Sequence, residues 1–529
     1  MSDNDKKKKL PTPKEIQQEF ESFLKQKYGD SVKFSVSSPS VESETSSITP
    51  PKNKKRTAAD LKFDYKPREV KQYLDRFVIK QDEGKKALSI GVCDHYNHVK
   101  ACIDDPKMSE FDYSKQNMIV LGPTGVGKTY MIKHIAKLIG VPFVKADATR
   151  FSETGYVGAN VDDLIRDLVS QAEGDIELAQ YGIVYLDEAD KLATPPNIVG
   201  RDVSGRGVQF GLLKLMEETE VDLRASGSVS AQLETMMEFQ SKGKVDQQMV
   251  NTRHILFIIS GAFNGLQDIV KKRMNQKNIG FGAEIQIDDA DAQYMHYVTS
   301  QDFIDFGFEP EFIGRLPIQV VCEELEARDL YKILCNSEGS IIRQYERAFQ
   351  AYGINVMFAN EALHAISAQA YKQKTGARAL MTICEKILRD YKFELPSTNI
   401  DEFVVTVDVV HQPQTELAKI LSDPGYNSRL VAVEKVRRYE IAFKQKHNMQ
   451  ISFDDEATSI ICQMTGKQTV EEICAQVLES YEHGLSLIKQ NTGTSRFVLT
   501  KQVVEDPDTV LEKWIRESYL AKSKDADPV

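Results

Sequence analysis

The sequence is poor in the residues that hold small disulfide-rich or membrane-embedded folds together. Its 529 residues include seven cysteines and one tryptophan, and the cysteines are scattered singly with no CxxC pair. The sequence therefore indicates neither a disulfide framework nor a zinc knuckle, and single thiols are typical of a reducing compartment such as the cytoplasm. It also has no run of about 18 apolar residues, so we expect no membrane span and no membrane partner.

Acidic residues outnumber basic ones, with 78 Asp and Glu against 67 Lys and Arg. The formal net charge is −11 and the isoelectric point is near 5.5. General nucleic-acid binders are usually basic, so we expect no nucleic-acid partner. The N-terminus, MSDNDKKKKLPTPKE, carries lysines without a following apolar stretch, so it does not have the pattern of a secretory signal.

The length predicts several domains. Residues 1–60 are predicted to form an amphipathic helix (13–28) and a flexible Ser/Thr/Pro/Lys-rich linker. One interpretation is that this helix binds a partner or a substrate. The other is that it is a solvated tail, and both interpretations stay open. The further predicted domains are a large α/β domain at 61–318, a small α-rich domain at 319–410 closed by a strand at 403–410, a second small domain at 411–510, and a tail at 511–529.

Within 61–318, short apolar runs alternate with helical stretches. The runs are NMIVLG (117–122), YGIVYLD (181–187) and HILFIIS (254–260). Continuous apolar runs of this length are typical of parallel strands that are buried on both faces. The alternation predicts a doubly wound α/β domain, with a parallel sheet flanked by helices.

A phosphate-binding pattern follows the first of these runs. GPTGVGKT (122–129) is a complete GxxxxGK[ST] motif between a predicted strand and a predicted helix, the context that a P-loop requires. Its backbone N–H groups can surround phosphate, Lys128 supplies a positive charge, and Thr129 offers a hydroxyl to Mg²⁺. The alternative is a chance glycine-rich turn. The predicted nucleotide-binding residues are Pro123, Thr124, Gly125, Val126, Gly127, Lys128 and Thr129.

Two acidic residues end the second apolar run. Asp187 is placed to hold Mg²⁺, and Glu188 is placed to orient and deprotonate the attacking water. The presence of both favours ATP hydrolysis over nucleotide binding alone. The pair could also cap the following helix, a role that is compatible with catalysis.

Further motifs give the chain a resemblance to a known family. GYVGANVDDLIRDL, RDVSGRGVQ, IGFGAE, PEFIGRLP and TGARAL occur in this order between residues 64 and 410. In order and spacing they resemble the ClpX family of AAA+ protein unfoldases, and more weakly HslU. The resemblance implies an AAA+ P-loop large domain with a small domain, ATP and Mg²⁺ as cofactors, and a homohexamer with nucleotide at the subunit boundaries.

The resemblance also implies roles for single residues around the nucleotide. Val78 and Ile79 would flank the adenine, and Arg315 would reach the neighbouring subunit's nucleotide as an arginine finger. Arg378 would sense the phosphates from the small domain of the same chain. Ser260, at the end of the third run, would be a polar phosphate sensor.

Two loops of the resemblance would act on other proteins. Tyr156 and Val157 in GYVG would form the pore loop that grips a threaded chain; the alternative is a buried tyrosine in a turn. Ile279, Gly280 and Phe281 would dock a ClpP-like peptidase, because exposed apolar residues on a loop are costly without a partner's pocket. The alternative is a hairpin tip that folds onto its own domain.

Several features depart from the family pattern. The four-cysteine zinc domain expected at the N-terminus is absent, and residues 194–203 give a second pore loop that is shorter than expected. The basic Arg-Lys-His loop expected within 221–250 is replaced by a mixed-charge segment. We therefore expect substrate selection to differ from that of the family.

The segment after residue 410 repeats the segment before it. LYKIL (330–334) pairs with LAKIL (417–421), YERAF (345–349) with YEIAF (439–443), FANEA (358–362) with FDDEA (453–457), TGARALMTIC (375–384) with TGKQTVEEIC (465–474), and FVVTVDVV (403–410) with FVLTKQVV (497–504). The pattern predicts a second small domain in which Gln468 replaces Arg378 and nucleotide sensing is lost. The alternative is coincidence among amphipathic helices.

Four functions are considered, and two of them are favoured. The first is an ATP-driven unfoldase that delivers unfolded or tagged proteins to a ClpP-like peptidase. The second is a stand-alone chaperone that remodels protein complexes. A nucleotide-gated scaffold is disfavoured by Glu188, Arg315 and Arg378, and a DNA motor by Tyr156 and the acidic charge.

Overall fold

A computed structural model describes residues 63–110, 113–151, 159–194, 205–223, 248–277, 291–336, 339–464, 468–479 and 481–525. The first seven strands are β1 Met118–Leu121, β2 Phe143–Asp147, β3 Ile183–Asp187, β4 Glu220–Asp222, β5 Met249–Asn251, β6 Leu256–Gly261 and β7 Ile318–Val321. The helices around them are α1 Pro67–Asp75, α2 Asp82–Asp104, α3 Lys128–Ile139, α4 Asp163–Gln171, α5 Ile176–Ala179, α6 Gly205–Met216, α7 Leu266–Lys277, α8 Ser300–Phe306 and α9 Pro310–Gly314.

Five of these strands form a parallel sheet in the order β2-β3-β6-β1-β7, and β4 pairs separately with β5. The predicted parallel α/β sheet is confirmed, since the three apolar runs form β1, β3 and β6. Alternate residues of β1 pack into two different cores, Met118 and Val120 into one and Ile119 and Leu121 into the other. The sheet is thus buried on both faces, which is why its strands consist of continuous apolar runs.

The small domain follows β7. It contains α10 Ala327–Asn336, α11 Ile341–Gln350, β8 Asn355–Phe358, α12 Asn360–Lys372, α13 Ala377–Glu394, β9 Glu402–Val405, α14 Val407–His411 and α15 Pro413–Ser422. Strands β8 and β9 pair in parallel. Its apolar residues join the core beneath one face of the large sheet, so the two domains share one continuous hydrophobic cluster.

Two predictions about the end of this domain are wrong. The strand predicted over 403–410 stops at Val405, because Thr406 caps α14 by accepting a hydrogen bond from the Val409 N–H at 3.4 Å. The boundary predicted after residue 410 would cut through the core, because Leu417 and Ile420 of α15 are buried in the small domain's cluster. The change from that core to the next falls within the following helix, between Val431 and Ala432.

The last part of the chain has a core of its own. It contains α16 Pro424–His447, β10 Gln450–Phe453, α17 Asp455–Met464, α18 Val470–Glu479, α19 Tyr481–Thr492, β11 Arg496–Leu499, α20 Lys501–Glu505 and α21 Pro507–Asp525. The tail predicted from residue 511 is wrong as far as residue 525, because those residues complete α21 and Leu511 is buried in this core.

The order of elements from α11 to α15 recurs from α16 to α21, except that two helices, α18 and α19, stand where the first segment has the single helix α13. Strands β10 and β11 pair in parallel as β8 and β9 do. A tyrosine in each segment donates its hydroxyl to the carbonyl of the proline that begins the last helix. Tyr391 Oη lies 2.9 Å from Pro413 O, and Tyr481 Oη lies 2.5 Å from Pro507 O.

One of the sequence pairings is wrong. LAKIL (417–421) lies in α15, which corresponds to α21 through the proline contacts of Tyr391 and Tyr481. It is therefore not the counterpart of LYKIL in α10, although both are amphipathic and contain leucine and isoleucine at the same spacing.

The 3₁₀ helices span Pro106–Glu110, Ala148–Arg150, Ala189–Leu192, Asp291–Tyr297 and Leu395–Ser397. No helix in the described ranges is long and apolar enough to cross a membrane.

Candidate active site

The glycine-rich loop joins β1 to α3 at the carboxyl edge of the sheet. Gly122, Gly125 and Gly127 have φ angles of 144°, 80° and 101°, which favour glycine and let the chain turn tightly into the helix. Lys128 is the first residue of α3. Its ammonium lies 2.5 Å from Gly122 O and 2.9 Å from Pro123 O, at the positive end of that helix.

A cavity of about 490 Å³ opens beside this loop. Of the seven predicted loop residues, five line it: Thr124, Gly125, Gly127, Lys128 and Thr129. The Val126 side chain is instead buried in the hydrophobic core, and Pro123 contributes its carbonyl to Lys128. Burial lowers the pKa of Lys128, and the positive charge of Arg378 adds to this effect while Asp187 opposes it. The cavity therefore concentrates charges of both signs in a partly desolvated space.

Asp187 ends β3 at the wall of this cavity and has several polar partners. Its carboxylate accepts hydrogen bonds from the Ser260 hydroxyl at 2.8 Å and the Thr129 hydroxyl at 3.2 Å, and pairs with Lys145 at 3.1 Å. Burial alone would raise the pKa of Asp187, but the hydrogen bonds from Ser260 and Lys145 lower it overall. Asp187 is thus held as a carboxylate next to the Thr129 hydroxyl.

Glu188 lines the same cavity but stays exposed. It follows the buried strand β3 with φ 57° and ψ 31°, in the left-handed region that non-glycine residues rarely adopt. Strained residues of this kind cluster at functional sites, where surrounding structure holds them in place. A solvent-accessible carboxylate one residue beyond Asp187 can reach a water molecule in the cavity.

The small domain completes the cavity. The Ala377 N–H donates to Gly125 O at 2.9 Å, and a Cβ atom built on Gly125 would lie 2.2 Å from Thr375 O. The TGAR turn therefore lies directly on the phosphate loop, and only glycine fits at that contact. Arg378, which follows in the first turn of α13, lines the cavity.

Comparison with known proteins places the chain in a family. A model described as "AAA domain (Cdc48 subfamily)" matches residues 113–319, and one described as "C-terminal, D2-small domain, of ClpB protein" matches residues 325–400. The chain is 40% identical over 354 residues to the ATP-dependent Clp protease ATP-binding subunit ClpX of Borrelia duttonii, across 66% of this chain and 79% of that protein. It is also 40% identical over 335 residues to the same subunit of Treponema denticola, across 63% and 77%.

The chain belongs to the ClpX family of AAA+ ATPases. The matched regions contain the phosphate loop, Asp187, Glu188 and Arg378, which the structure brings to one cavity. A chance glycine-rich turn is thereby set aside as an explanation of the GPTGVGKT motif. Residues after 400 lie outside both family models.

Besides Pro123 and Val126, four more of the nucleotide residues predicted for this ClpX-family chain do not line the cavity. Val78 is buried in the core behind Gly127, and Ile79 beside it is half-buried. Arg315 follows α9 with an exposed side chain and lies 2.5 Å from Glu217. Ser260 is fully buried behind Asp187, where it also bonds the Tyr185 hydroxyl at 2.6 Å. In this structure Ser260 therefore positions Asp187 and does not face the cavity itself.

Sequence reasoning missed some of the cavity's other residues. Asn264 lines the cavity three residues beyond β6, and Asp190 and Lys191 line it just beyond Glu188. Their position just past a strand end could have indicated them, because the carboxyl ends of parallel strands share one edge of the sheet and polar residues that follow them meet there. Ile341 and Met381 from the small domain add an apolar side that no motif indicates.

Several predicted sites lie outside the described residues. They are the pore-loop pair Tyr156 and Val157, the docking tripeptide Ile279, Gly280 and Phe281, nearly all of the short second pore loop, and most of the segment that replaces the basic loop. Within the described ranges, no group of three or more His, Cys, Asp or Glu side chains could hold a metal ion by itself.

Proposed function

We propose that this ClpX-family ATPase is a ring-forming protein unfoldase that delivers protein chains to a ClpP-like peptidase. The observation that carries the proposal is the contact between the TGAR turn and the phosphate loop. Because Gly376 and Ala377 belong to the small domain and Gly125 to the large one, loss of a phosphate changes a surface that both domains share. Hydrolysis can then alter the angle between the domains, which is what mechanical work on a threaded chain requires.

Mg²⁺ fits the oxygen ligands present in the site. The Thr129 hydroxyl and an Asp187 carboxylate oxygen lie 3.2 Å apart, and hard oxygen donors are the ligands that Mg²⁺ prefers. When bound with nucleotide, Mg²⁺ neutralises charge on the phosphate oxygens. Ser260 and Lys145 keep Asp187 ionised and oriented for this role, Lys128 contributes positive charge, and Glu188 orients and accepts a proton from the attacking water.

A ring is supported by the position of Arg315. This side chain is exposed at the end of α9 and does not border its own chain's cavity. A guanidinium placed there can act on the nucleotide of an adjacent subunit as an arginine finger. We propose the homohexamer of the ClpX resemblance, with Tyr156 and Val157 gripping the substrate in its pore.

The C-terminal segment is proposed to be a second copy of the small domain that has lost its nucleotide role. Both segments have the same order of elements, apart from the two helices α18 and α19 in place of α13, and both have the tyrosine-to-proline hydrogen bond. Gln468, the counterpart of Arg378, is exposed and does not line the cavity at the phosphate loop. An amide also lacks the positive charge that a phosphate sensor needs.

The protease-delivery step is tested by mixing the chain with ClpP, ATP and a fluorescent substrate that unfolds readily. We expect ATP-dependent degradation, and we expect the Phe281→Ala variant to lose about tenfold or more of the degradation rate, because apolar anchors in partner pockets dominate such interfaces. The ATP-hydrolysis rate of this variant should stay close to that of the unmodified chain.

Degradation that is equally fast with Phe281→Ala would contradict docking through this tripeptide. Unfolding of the substrate without any association with ClpP would instead identify a stand-alone chaperone. Incubation of the substrate with ClpP alone provides the control, because it measures the cleavage that occurs without this chain.

A further inference from the structure

The C-terminal repeat has an open groove on a surface that is covered in the first repeat. The groove lies between α16, β10 and α17 and has a volume of about 550 Å³. Val433 and Val436 of α16 and Phe453 of β10 form an apolar floor, while Ser459 and Cys462 come from α17. We call it the α17 groove.

In the first repeat, the corresponding surface is covered by α10. Helix α10 packs along α12, where the Tyr331 ring stacks on His364 with centroids 4.0 Å apart and an angle of 1°. The Tyr331 hydroxyl also donates to Asn360. FANEA and FDDEA align α12 with α17, so the counterparts of Asn360 and His364 are Asp455 and Ser459, and both of these line the α17 groove.

The difference arises at two positions of the segment that joins α10 to α11. In the first repeat, Gly339 and Ser340 lie just before α11, and Ser340 caps this helix by accepting a hydrogen bond from the Arg343 N–H at 3.4 Å. The helix therefore begins after Ser340, and α10 can fold back onto α12. Aligned through YERAF and YEIAF, the counterparts of Gly339 and Ser340 are Val433 and Glu434. Valine and glutamate cap or break a helix less readily than serine and glycine do. Helix α16, which is 24 residues long, therefore continues through both positions.

The residues that would be the second copy of α10 are consequently engaged elsewhere. The N-terminal half of α16 packs against β9 of the first repeat. Asn427 donates to Glu402 O at 2.8 Å, and Lys435 lies 2.7 Å from the Glu402 carboxylate. Val431 is buried in the first small domain's core. This segment cannot occupy the α17 groove without breaking those contacts.

We infer that the α17 groove is a docking site for an amphipathic helix of another protein, with the pattern of α10. Helix α10 is ten residues long and presents Leu330, Tyr331 and Leu334 to the domain. The docked helix has a bulky aromatic residue at the Tyr331 position, because Ser459 leaves the space that His364 fills in the first repeat. Such helix-in-groove contacts are a recurrent mode of peptide recognition.

Charge on the rim selects the flanks of the docked helix. Arg429 and Arg437 lie along the α16 side with side chains 68% and 54% exposed, and each has an acidic partner within the chain, Asp423 at 3.6 Å and Glu361 at 3.5 Å. Exposed ion pairs of this length are weak, so acidic residues on the docked helix can compete for these two arginines, whereas basic residues gain no partner there. Asp455 is exposed at the opposite wall and favours a basic or polar residue there. Glu440 is engaged within the fold, since it accepts the Phe453 N–H at 2.6 Å.

The test uses the full chain and a fluorescent synthetic peptide with the α10 sequence, Ala327 to Asn336, that carries the two substitutions Tyr331→Trp and Lys332→Glu. The first enlarges the aromatic ring, and the second makes the flank acidic. We expect saturable binding with a Kd of about 10–100 µM by fluorescence anisotropy, as suits a short helix in a shallow groove. Ser459→Trp fills the groove and should weaken binding by about tenfold or more, since it removes the space for the aromatic residue.

Two further variants keep the outcome clear. Glu456→Trp places the same ring on α17 outside the groove and should leave binding unchanged. Arg437→Glu should weaken binding of the acidic peptide more than binding of a second peptide that retains Lys332, and it reports on the groove even where Ser459→Trp disturbs folding. ATP hydrolysis should be unchanged in all three variants, so this result is independent of the proposed unfoldase function.

The inference is overturned when the peptide shows no saturable binding, or when Ser459→Trp and Glu456→Trp bind it equally. Binding that appears only after the protein is diluted would also overturn it, because the groove would then be filled by a second copy of this chain. An equal loss of affinity for both peptides on Arg437→Glu would contradict the acidic flank.

Discussion

Replacing Glu188 with glutamine should lower the turnover number for ATP hydrolysis by about 100-fold or more, the range that loss of a general base produces. ATP binding should remain, because Glu188 is exposed at the cavity wall while the phosphate loop, Lys128 and Thr129 provide the binding contacts. Steady-state phosphate release measures the turnover number, and a fluorescent ATP analogue measures binding.

The matched control is Glu177→Gln. Glu177 is a carboxylate of the large domain on α5, outside the cavity, and its replacement should leave turnover within about twofold. A normal turnover number for Glu188→Gln, or an equal loss for Glu177→Gln, would contradict the assignment of Glu188 as the base.

A mixture of two inactive variants tests whether neighbouring subunits of the proposed ring share an active site. Arg315→Ala should also be inactive by itself if Arg315 acts on the neighbouring subunit's nucleotide. A mixture of Glu188→Gln and Arg315→Ala chains should regain activity, because some boundaries then combine an intact Glu188 with an intact Arg315. Absence of any recovery in mixed rings would argue against an arginine finger acting between subunits.

The second large effect concerns Arg378 and its counterpart Gln468. Arg378→Ala should lower kcat/KM for ATP by about 10- to 100-fold, the equivalent of one charge-assisted hydrogen bond lost from the site. Gln468→Ala should leave kcat/KM within about twofold, because Gln468 is exposed and outside the cavity.

This pair tests the difference between the two repeats within one chain. Thermal unfolding of both variants, followed by circular dichroism, separates a catalytic effect from loss of the fold. Comparable losses of kcat/KM from Arg378→Ala and Gln468→Ala would mean that both repeats act on nucleotide, contrary to the proposal.

The phosphate-loop cavity could be predicted from sequence because its chemistry is local. A strand, a glycine-rich loop and a helix occur consecutively at 118–139, and Asp187 and Glu188 lie at the end of a buried apolar strand. Parallel pairing then brings the ends of β1, β3 and β6 to one edge, where Leu121 is in register with Gly261. No tertiary detail was needed to place these residues together.

Other features depend on tertiary contacts that periodicity does not encode. Ser260 and Asn264 are both polar residues near the end of β6, yet one is buried against Asp187 and the other lines the cavity. LAKIL and LYKIL have the same amphipathic spacing, but the Tyr391 contact with Pro413 assigns LAKIL to the end of the first repeat. Likewise, the loss of a helix break at Val433 and Glu434 is visible only once the repeats are aligned.

Unfolding of protein by the ATP hydrolysis of this chain is measured directly through the native fluorescence of an unfolding-prone substrate in the absence of any peptidase. Fluorescence should fall when the chain hydrolyses ATP. It should stay constant with a non-hydrolysable ATP analogue or with Glu188→Gln. A constant fluorescence signal while the chain hydrolyses ATP, or an equal fall without hydrolysis, would show that ATP hydrolysis by this chain does not drive protein unfolding.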